Sequence, residues 1–232
     1  MIEIKNLTKT YGGERAVDSL SFSIEDGIVF GFLGANGAGK TTTLKMLVGL
    51  AFPDEGTIAI GGGSPSETST REKIGFAPET PSFYDYLTGY EFLEFSASLS
   101  SRGFSRRAAE ALLKEVGIFE ARGISIRNYS KGMKQRLAFA AAIAHDPQFV
   151  FLDEPLDGLD PLGRKHMKGI IRNLKKRGKT VFFSSHILFD AEELCNEIGV
   201  IHKGKLLYAG ETKRFCDGKR LEEKFVEVVE KQ

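Results

Sequence analysis

Tryptophan is absent from this chain of 232 residues, and cysteine occurs only twice. Cys195 and Cys216 form no metal-binding spacing, and a reducing interior accounts for both. An excess of charge is missing as well: 32 basic residues against 31 acidic leave a formal net charge of +1. That balance removes the bulk argument for a nucleic-acid partner, which rests on a basic surplus. Short basic runs such as Lys175-Lys176-Arg177 read as solvated helix ends. No stretch approaches the roughly 18–20 apolar residues that span a bilayer, and Met1-Ile2-Glu3-Ile4-Lys5-Asn6 opens no secretory leader. The expectation is a cytoplasmic protein that borrows any membrane role from a partner. Repeats and low-complexity tracts are also lacking.

What is present suffices for a large core, with 41% hydrophobic residues. Ile2-Glu3-Ile4 and Ser21-Phe22-Ser23-Ile24 alternate with period two, as half-buried strands do. Ile28 to Leu33 is almost wholly apolar, as a strand covered on both faces is. A Gly-rich loop follows, then a helix expected over about 41–50. Thr57-Ile58-Ala59-Ile60 and Ile74-Gly75-Phe76-Ala77 read as further strands. From about 85 to 145 the apolar spacing turns helical, with Phe92, Phe95 and Leu99 and then Ala108, Leu112, Leu113 and Val116. Strands resume at Phe149 to Leu152 and Val181 to Phe183. Between them a helix is announced by Asp160 as N-cap, Pro161 at its first position and Gly178 beyond its end. Ile198 to Ile201 and Leu206 to Ala209 flank a hairpin turn, and Leu221, Phe225 and Val228 share a helical face. The pattern predicts one mixed α/β domain over 1–232, with a core from 1–84 and 146–232 and a helical lobe from 85–145.

Two motifs carry phosphate chemistry. Gly34-Ala35-Asn36-Gly37-Ala38-Gly39-Lys40-Thr41 fits G-x-x-x-x-G-K-[ST] between an apolar strand and a helix. Its glycines let successive backbone N–H groups turn inward on phosphate oxygens, beside a helix N-terminus. Lys40 is then expected to reach the β- and γ-phosphates, and Thr41 to ligate Mg²⁺. The second motif is Asp153-Glu154, at the carboxyl end of a buried strand, where ligands collect in open α/β sheets. Asp153 there suits Mg²⁺, and Glu154 suits the polarising of an attacking water.

A third segment separates this chain from kinases, GTPases and helicases. Asn128-Tyr129-Ser130-Lys131-Gly132-Met133-Lys134-Gln135-Arg136 precedes an apolar helix, so Ser130 reads as an N-cap and as a second anion site. The stretch resembles the signature segment of ATP-binding-cassette proteins, usually L-S-G-G-Q. Tyr129, Lys131 and Met133 depart from that pattern, while Ser130 and Gly132 keep it. The variant is similar to that of the bacterial and archaeal exporter ATPases serving ABC-2-type permeases. The resemblance covers essentially the whole chain.

The resemblance implies a P-loop NTPase core with a mixed sheet, an N-terminal antiparallel β portion and an inserted α-helical subdomain. It implies ATP and Mg²⁺ as ligands, and nucleotide contacts from Tyr11, stacked on adenine, and from Gly34 through Lys40 to Thr41 and Thr42. It implies head-to-tail pairing, as homodimer or heterodimer, in which Ser130, Gly132 and Asp160 of one subunit meet nucleotide held by the other. His186 matches the switch histidine that joins Glu154 and Lys40 in catalysis. Glu79 stands where the family usually has Gln, keeping the shape but losing the amide donor, and remains a candidate Mg²⁺ contact beside Thr41 and Asp153. The implied function is an ATPase subunit, on the inner face of the cell membrane, energising a separate permease, with export favoured. The alternatives are a non-transport cassette acting as a soluble switch on a nucleoprotein, or another phosphate-loop enzyme such as a small-molecule kinase.

Overall fold

The structure, a computed structural model, describes residues 1–99 and 105–231. β1 (Ile2–Tyr11) and β2 (Glu14–Ile24) pair antiparallel around Gly12 and Gly13. Both glycines have positive φ, as a tight hairpin turn demands. β3 (Val29–Leu33) is buried along its whole length and leads through the Gly-rich loop into α1 (Lys40–Leu47). The helix stops before the expected Leu50. Gly49 turns the chain at φ +74, against the Pro65 carbonyl, where a Cβ would clash. β4 (Glu55–Ile60) returns to pair with β1, and α2 (Thr68–Arg71) and β5 (Ile74–Ala77) follow.

The helical stretch is α3 (Gly89–Ser98), α4 (Arg106–Glu115) and α5 (Lys131–Ile143). Each starts on a side-chain cap. Thr88 and Glu91 form a reciprocal capping box, while Ser105 and Ser130 accept from the third backbone N–H beyond them. The chain then alternates: β6 (Phe149–Asp153), α6 (Pro161–Lys176), β7 (Thr180–Ser185), α7 (Leu188–Leu194), β8 (Glu197–His202) and β9 (Lys205–Glu211). α8 (Thr212–Cys216) and α9 (Leu221–Val229) complete it.

Two sheets result. One is β2-β1-β4, antiparallel. The other runs β5-β6-β7-β3-β8-β9, parallel except for β9. The sheets meet through a ladder of rings. Phe22 stacks on Phe30 at 5.6 Å, Phe30 on Phe182 at 5.4 Å, and Phe182 meets Phe151 at 5.7 Å. α1 seals this layer, and α5, α6 and α7 cover the opposite face of the parallel sheet. α5 belongs to both lobes. Its N-terminal part meets α3 and α4, while Ala142 near its end lies so close to Gly75 of β5 that no side chain fits there. The order β6-β7-β3 sets three strand ends side by side, and the Gly-rich loop, Asp153-Glu154 and His186 hang from them, while Ser130 starts α5 away from the sheet.

Candidate functional site

The loop between β3 and α1 is clamped from outside. At Gly39, φ is +109, and an added Cβ would sit 2.4 Å from the Ala16 carbonyl of β2. The Ala38 carbonyl accepts from Gly204 in the β8–β9 turn. Both contacts hold the loop curled against β2 and the β8–β9 turn, and a Gly-rich curl of this kind suits a phosphate cradle. The cleft it borders has a volume of about 240 Å³ and is lined by Ala16, Asn36, Gly37, Gly39, Lys40, Thr41, Thr42, Glu79 and Glu154. Ala16 is the lining residue that the sequence does not reveal, because it belongs to a strand far from the loop.

Lys40 is buried, with its ammonium donating to the Gly34 carbonyl at 2.8 Å and the Ala35 carbonyl at 3.2 Å. The same ammonium lies 3.2 Å from Glu154 Oε1. That oxygen is buried and accepts no hydrogen bond, so the lysine meets it as a charge and not as an aligned donor. Glu154 Oε2 accepts from the His186 backbone N–H at 3.3 Å and faces His186 Nδ1 at 3.0 Å. A carboxylate only accepts, which assigns the proton to Nδ1 and leaves Nε2 as the free ring nitrogen.

Asp153 is deeper and does not line the cleft. The Ser184 hydroxyl donates to its Oδ1 at 2.6 Å and accepts from the Glu154 backbone N–H at 2.9 Å. One hydroxyl on β7 therefore fixes both carboxylate residues at the end of β6, Asp153 within it and Glu154 just past it. Glu154 needs that support, since its φ is +48, a left-handed conformation that costs a side-chain-bearing residue free energy. Strain of this size at the strand end aims the carboxylate at the cleft. Neither Ser184's role nor the strain is visible from sequence.

The other predicted residues lie apart from this cleft. Tyr11 ends β1 with 52% of its surface exposed and the Lys9 ammonium 5.4 Å from its ring. Ser130 is exposed at the start of α5, and its hydroxyl accepts from Met133 N–H at 3.2 Å. Gly132 follows it, 3.4 Å from Leu159 were it to carry a Cβ. Asp160 caps α6, accepting from Gly163 N–H at 2.6 Å, as its sequence position predicts. Lys131, the residue that departs from the signature pattern, bridges to Asp157 at 2.9 Å. This hydrogen bond, together with the field of Glu79, holds the Lys131 ammonium above its usual pKa, and Asp157 is held below the usual carboxylate range by the same bond.

The oxygens lining the cleft are hard ones, the Thr41 hydroxyl and the Glu79 and Glu154 carboxylates, with the Asp153 carboxylate buried behind them. Among the described residues no three His, Cys, Asp or Glu side chains form a metal cage. That set suits an ion which keeps its waters and takes one or two carboxylates plus substrate phosphates. No helix among the described residues is long and apolar enough to cross a membrane.

Comparison with known proteins shows the family. Residues 17–157 match the family model described as ABC transporter. The bacitracin transport ATP-binding protein BcrA of Enterococcus faecalis is 42% identical over 210 residues, covering 89% of this chain and 68% of that protein. The fluoroquinolones export ATP-binding protein MT2762 of Mycobacterium tuberculosis is 38% identical over 213 residues, covering 89% of this chain and 69% of that protein. A further relative, from Synechocystis, is 44% identical over 195 residues, covering 82% of this chain and 55% of that protein. A solved dimer of the ATP-binding cassette MJ0796, in a post-hydrolysis state bound to ADP and Pi, superposes with a TM-score of 0.85 at 26% identity, covering 91% of this chain and 98% of that one.

Proposed function

This chain belongs to the ABC transporter family as an ATP-binding and ATP-hydrolysing subunit, and from that premise we propose that it cleaves ATP at sites completed by a second subunit and drives a separate membrane permease as an exporter. One observation carries the hydrolytic reading. The only buried side-chain oxygen left without a hydrogen bond among the described residues is Glu154 Oε1, and Glu154 lines the cleft under the Gly-rich loop. Lys40 meets this oxygen as a charge without an aligned hydrogen bond, which leaves its lone pairs open to orient and deprotonate water.

The roles follow from the contacts. Lys40 moves its ammonium from the loop carbonyls onto the β- and γ-phosphates, and the loop N–H groups share their charge. Thr41, Asp153 and Glu79 would hold a magnesium ion, which supplies charge neutralisation between the phosphates when bound. His186 keeps Glu154 aimed through its Nδ1 proton, and would donate to the γ-phosphate only with Nε2 protonated as well. Tyr11, exposed at the end of β1, is free to stack on adenine.

Ser130 is exposed at a helix N-terminus and is not part of the wall of its own cleft. Pairing head to tail with a second copy or a related subunit gives it a phosphate to bind, with Gly132 and Asp160 beside it. The likeness to the MJ0796 dimer supports that pairing. ATP would act as an adhesive between subunits, and loss of the γ-phosphate would release them. On the helical lobe, Tyr84, Tyr86 and Phe95 form an exposed aromatic group suited to a permease's cytoplasmic segment on the inner membrane face. The transport and export functions of BcrA and MT2762 support the exporter reading.

Glu154→Gln tests the core of the proposal. It is expected to bind ATP, hydrolyse it at least about a hundredfold more slowly, and accumulate as a dimer on gel filtration with ATP and Mg²⁺. A monomeric variant that turns over normally would remove Glu154 from its role.

A further inference from the structure

β6 and β7 each hand over to a helix, and the two side chains in contact over the cleft sit at those handovers. Glu154 follows β6 on the way to α6, and His186 lies between β7 and α7. The two helices are joined by a ladder of charge. Arg164, Lys168 and Arg172 recur every four residues, so they share one face of α6. Asp190 and Glu193 face them from α7. Lys168 lies 2.8 Å from Asp190 Oδ1, and Arg164 donates to Asp190 Oδ2. Glu193 takes the outer rungs from Lys168 and Arg172. A cleft of about 550 Å³ runs over the ladder, but these cations of its wall are already paired with carboxylates, so it offers no ready anion site.

Asp190 is the buried end of the ladder, with 1% of its surface exposed. An apolar pair of the same shape would stabilise a helix contact at least as well as a buried carboxylate between two cations. What two directed charges add is a fixed register between α6 and α7. Asp190 stands four residues beyond His186, in the first turn of α7, and Arg164 stands four beyond Asp160, in the first turn of α6. The ladder therefore ties together the two chain segments that carry Glu154 and His186 out of the sheet.

We propose that Asp190 is a positioning residue for hydrolysis: clamped by Arg164 and Lys168, it sets α7 on α6 and so holds His186 against Glu154 Oε2. This rests on the reading of Glu154 and His186 given above. Asp190 touches neither nucleotide nor water. It acts through the angle at which α7 leaves β7, and loss of its charge lets the His186 ring drift from the carboxylate it orients. Small misplacements of this kind lower the chemical step far more than ground-state binding.

The test uses Asp190→Asn, which keeps the shape and removes the charge, and Arg164→Gln, which leaves Lys168 in place. Steady-state ATP hydrolysis, calorimetric ATP binding and thermal melts are measured for each, alone and with His186→Ala. Both variants are expected to lower kcat by about ten- to a hundredfold, with KM and ATP affinity within about twofold of the parent. Added to His186→Ala they should cost little more, because the group they act through is gone. Should Asp190→Asn fail to fold, Arg164→Gln decides the matter alone. Normal kcat in Arg164→Gln, or a full multiplicative loss on top of His186→Ala, overturns the proposal. Normal turnover by His186→Ala alone overturns the reading it rests on instead.

Discussion

Ser184→Ala is the substitution whose cost the geometry fixes most tightly. The hydroxyl is fully buried on β7, donates to Asp153 Oδ1 and supports the backbone N–H of Glu154. Alanine fits the space but leaves a buried carboxylate short of a donor and a backbone N–H without an acceptor. Each unmade bond costs about 1–3 kcal/mol, so the loss sums to about 2–6 kcal/mol. The N–H lost is the one that braces a left-handed residue, which places the sum toward its upper half. In a domain of this length each kcal/mol moves the melting point by about 2–4 °C, giving a fall of roughly 8–24 °C. Ser185→Ala is the control, since the Ser185 hydroxyl serves only the local turn at Ile187. Differential scanning calorimetry of both variants without nucleotide makes the comparison. A Ser184→Ala protein that melts within about 2 °C of the parent would refute the claim that this hydroxyl organises the two carboxylates.

The strain at Glu154 gives a paired prediction: Glu154→Gly should melt above Glu154→Ala, by about 1 kcal/mol in stability, while both lose turnover. Equal melting points would deny the strain. Lys40→Ala should lose most ATP affinity, measured by calorimetry, because the ammonium is the cleft's own counter-charge to the phosphates. Phe182→Ala removes the middle of the ring ladder between the sheets and should cost about 3–5 kcal/mol in denaturant unfolding. The Lys131–Asp157 bridge is mostly solvent-exposed at its lysine. A double-mutant cycle should therefore give a coupling of no more than about 1 kcal/mol to stability.

The legible parts of the fold and site were those that chemistry confines to neighbouring residues. The Gly-rich loop announces itself because glycines, lysine and threonine must be adjacent to wrap one phosphate chain. Asp153-Glu154 is readable because two carboxylates ending a buried strand, in a chain that also carries a phosphate loop, imply a cation between them and the phosphates. Asp160, Pro161 and Gly178 bracket α6 by local backbone rules alone. What was not legible spans the chain. Ser184 looks like any strand serine until β7 is placed beside β6, and Ala16 gains its place only when the antiparallel sheet closes over the loop. Asp190 reads as one more acid on an amphipathic helix, and nothing in its neighbours betrays burial on α6. The apolar spacing carries α1 on to Leu50, three residues past its end at Leu47, because the turn at Gly49 is decided by the distant Pro65 carbonyl.

The most direct measurement of the shared site is the ATP hydrolysis rate per molecule as a function of protein concentration, with sedimentation reporting the fraction paired. Two subunits gripping one nucleotide predict a specific rate that falls toward zero on dilution, in step with the dimer. A rate per molecule that stays constant where every chain is alone would contradict the account.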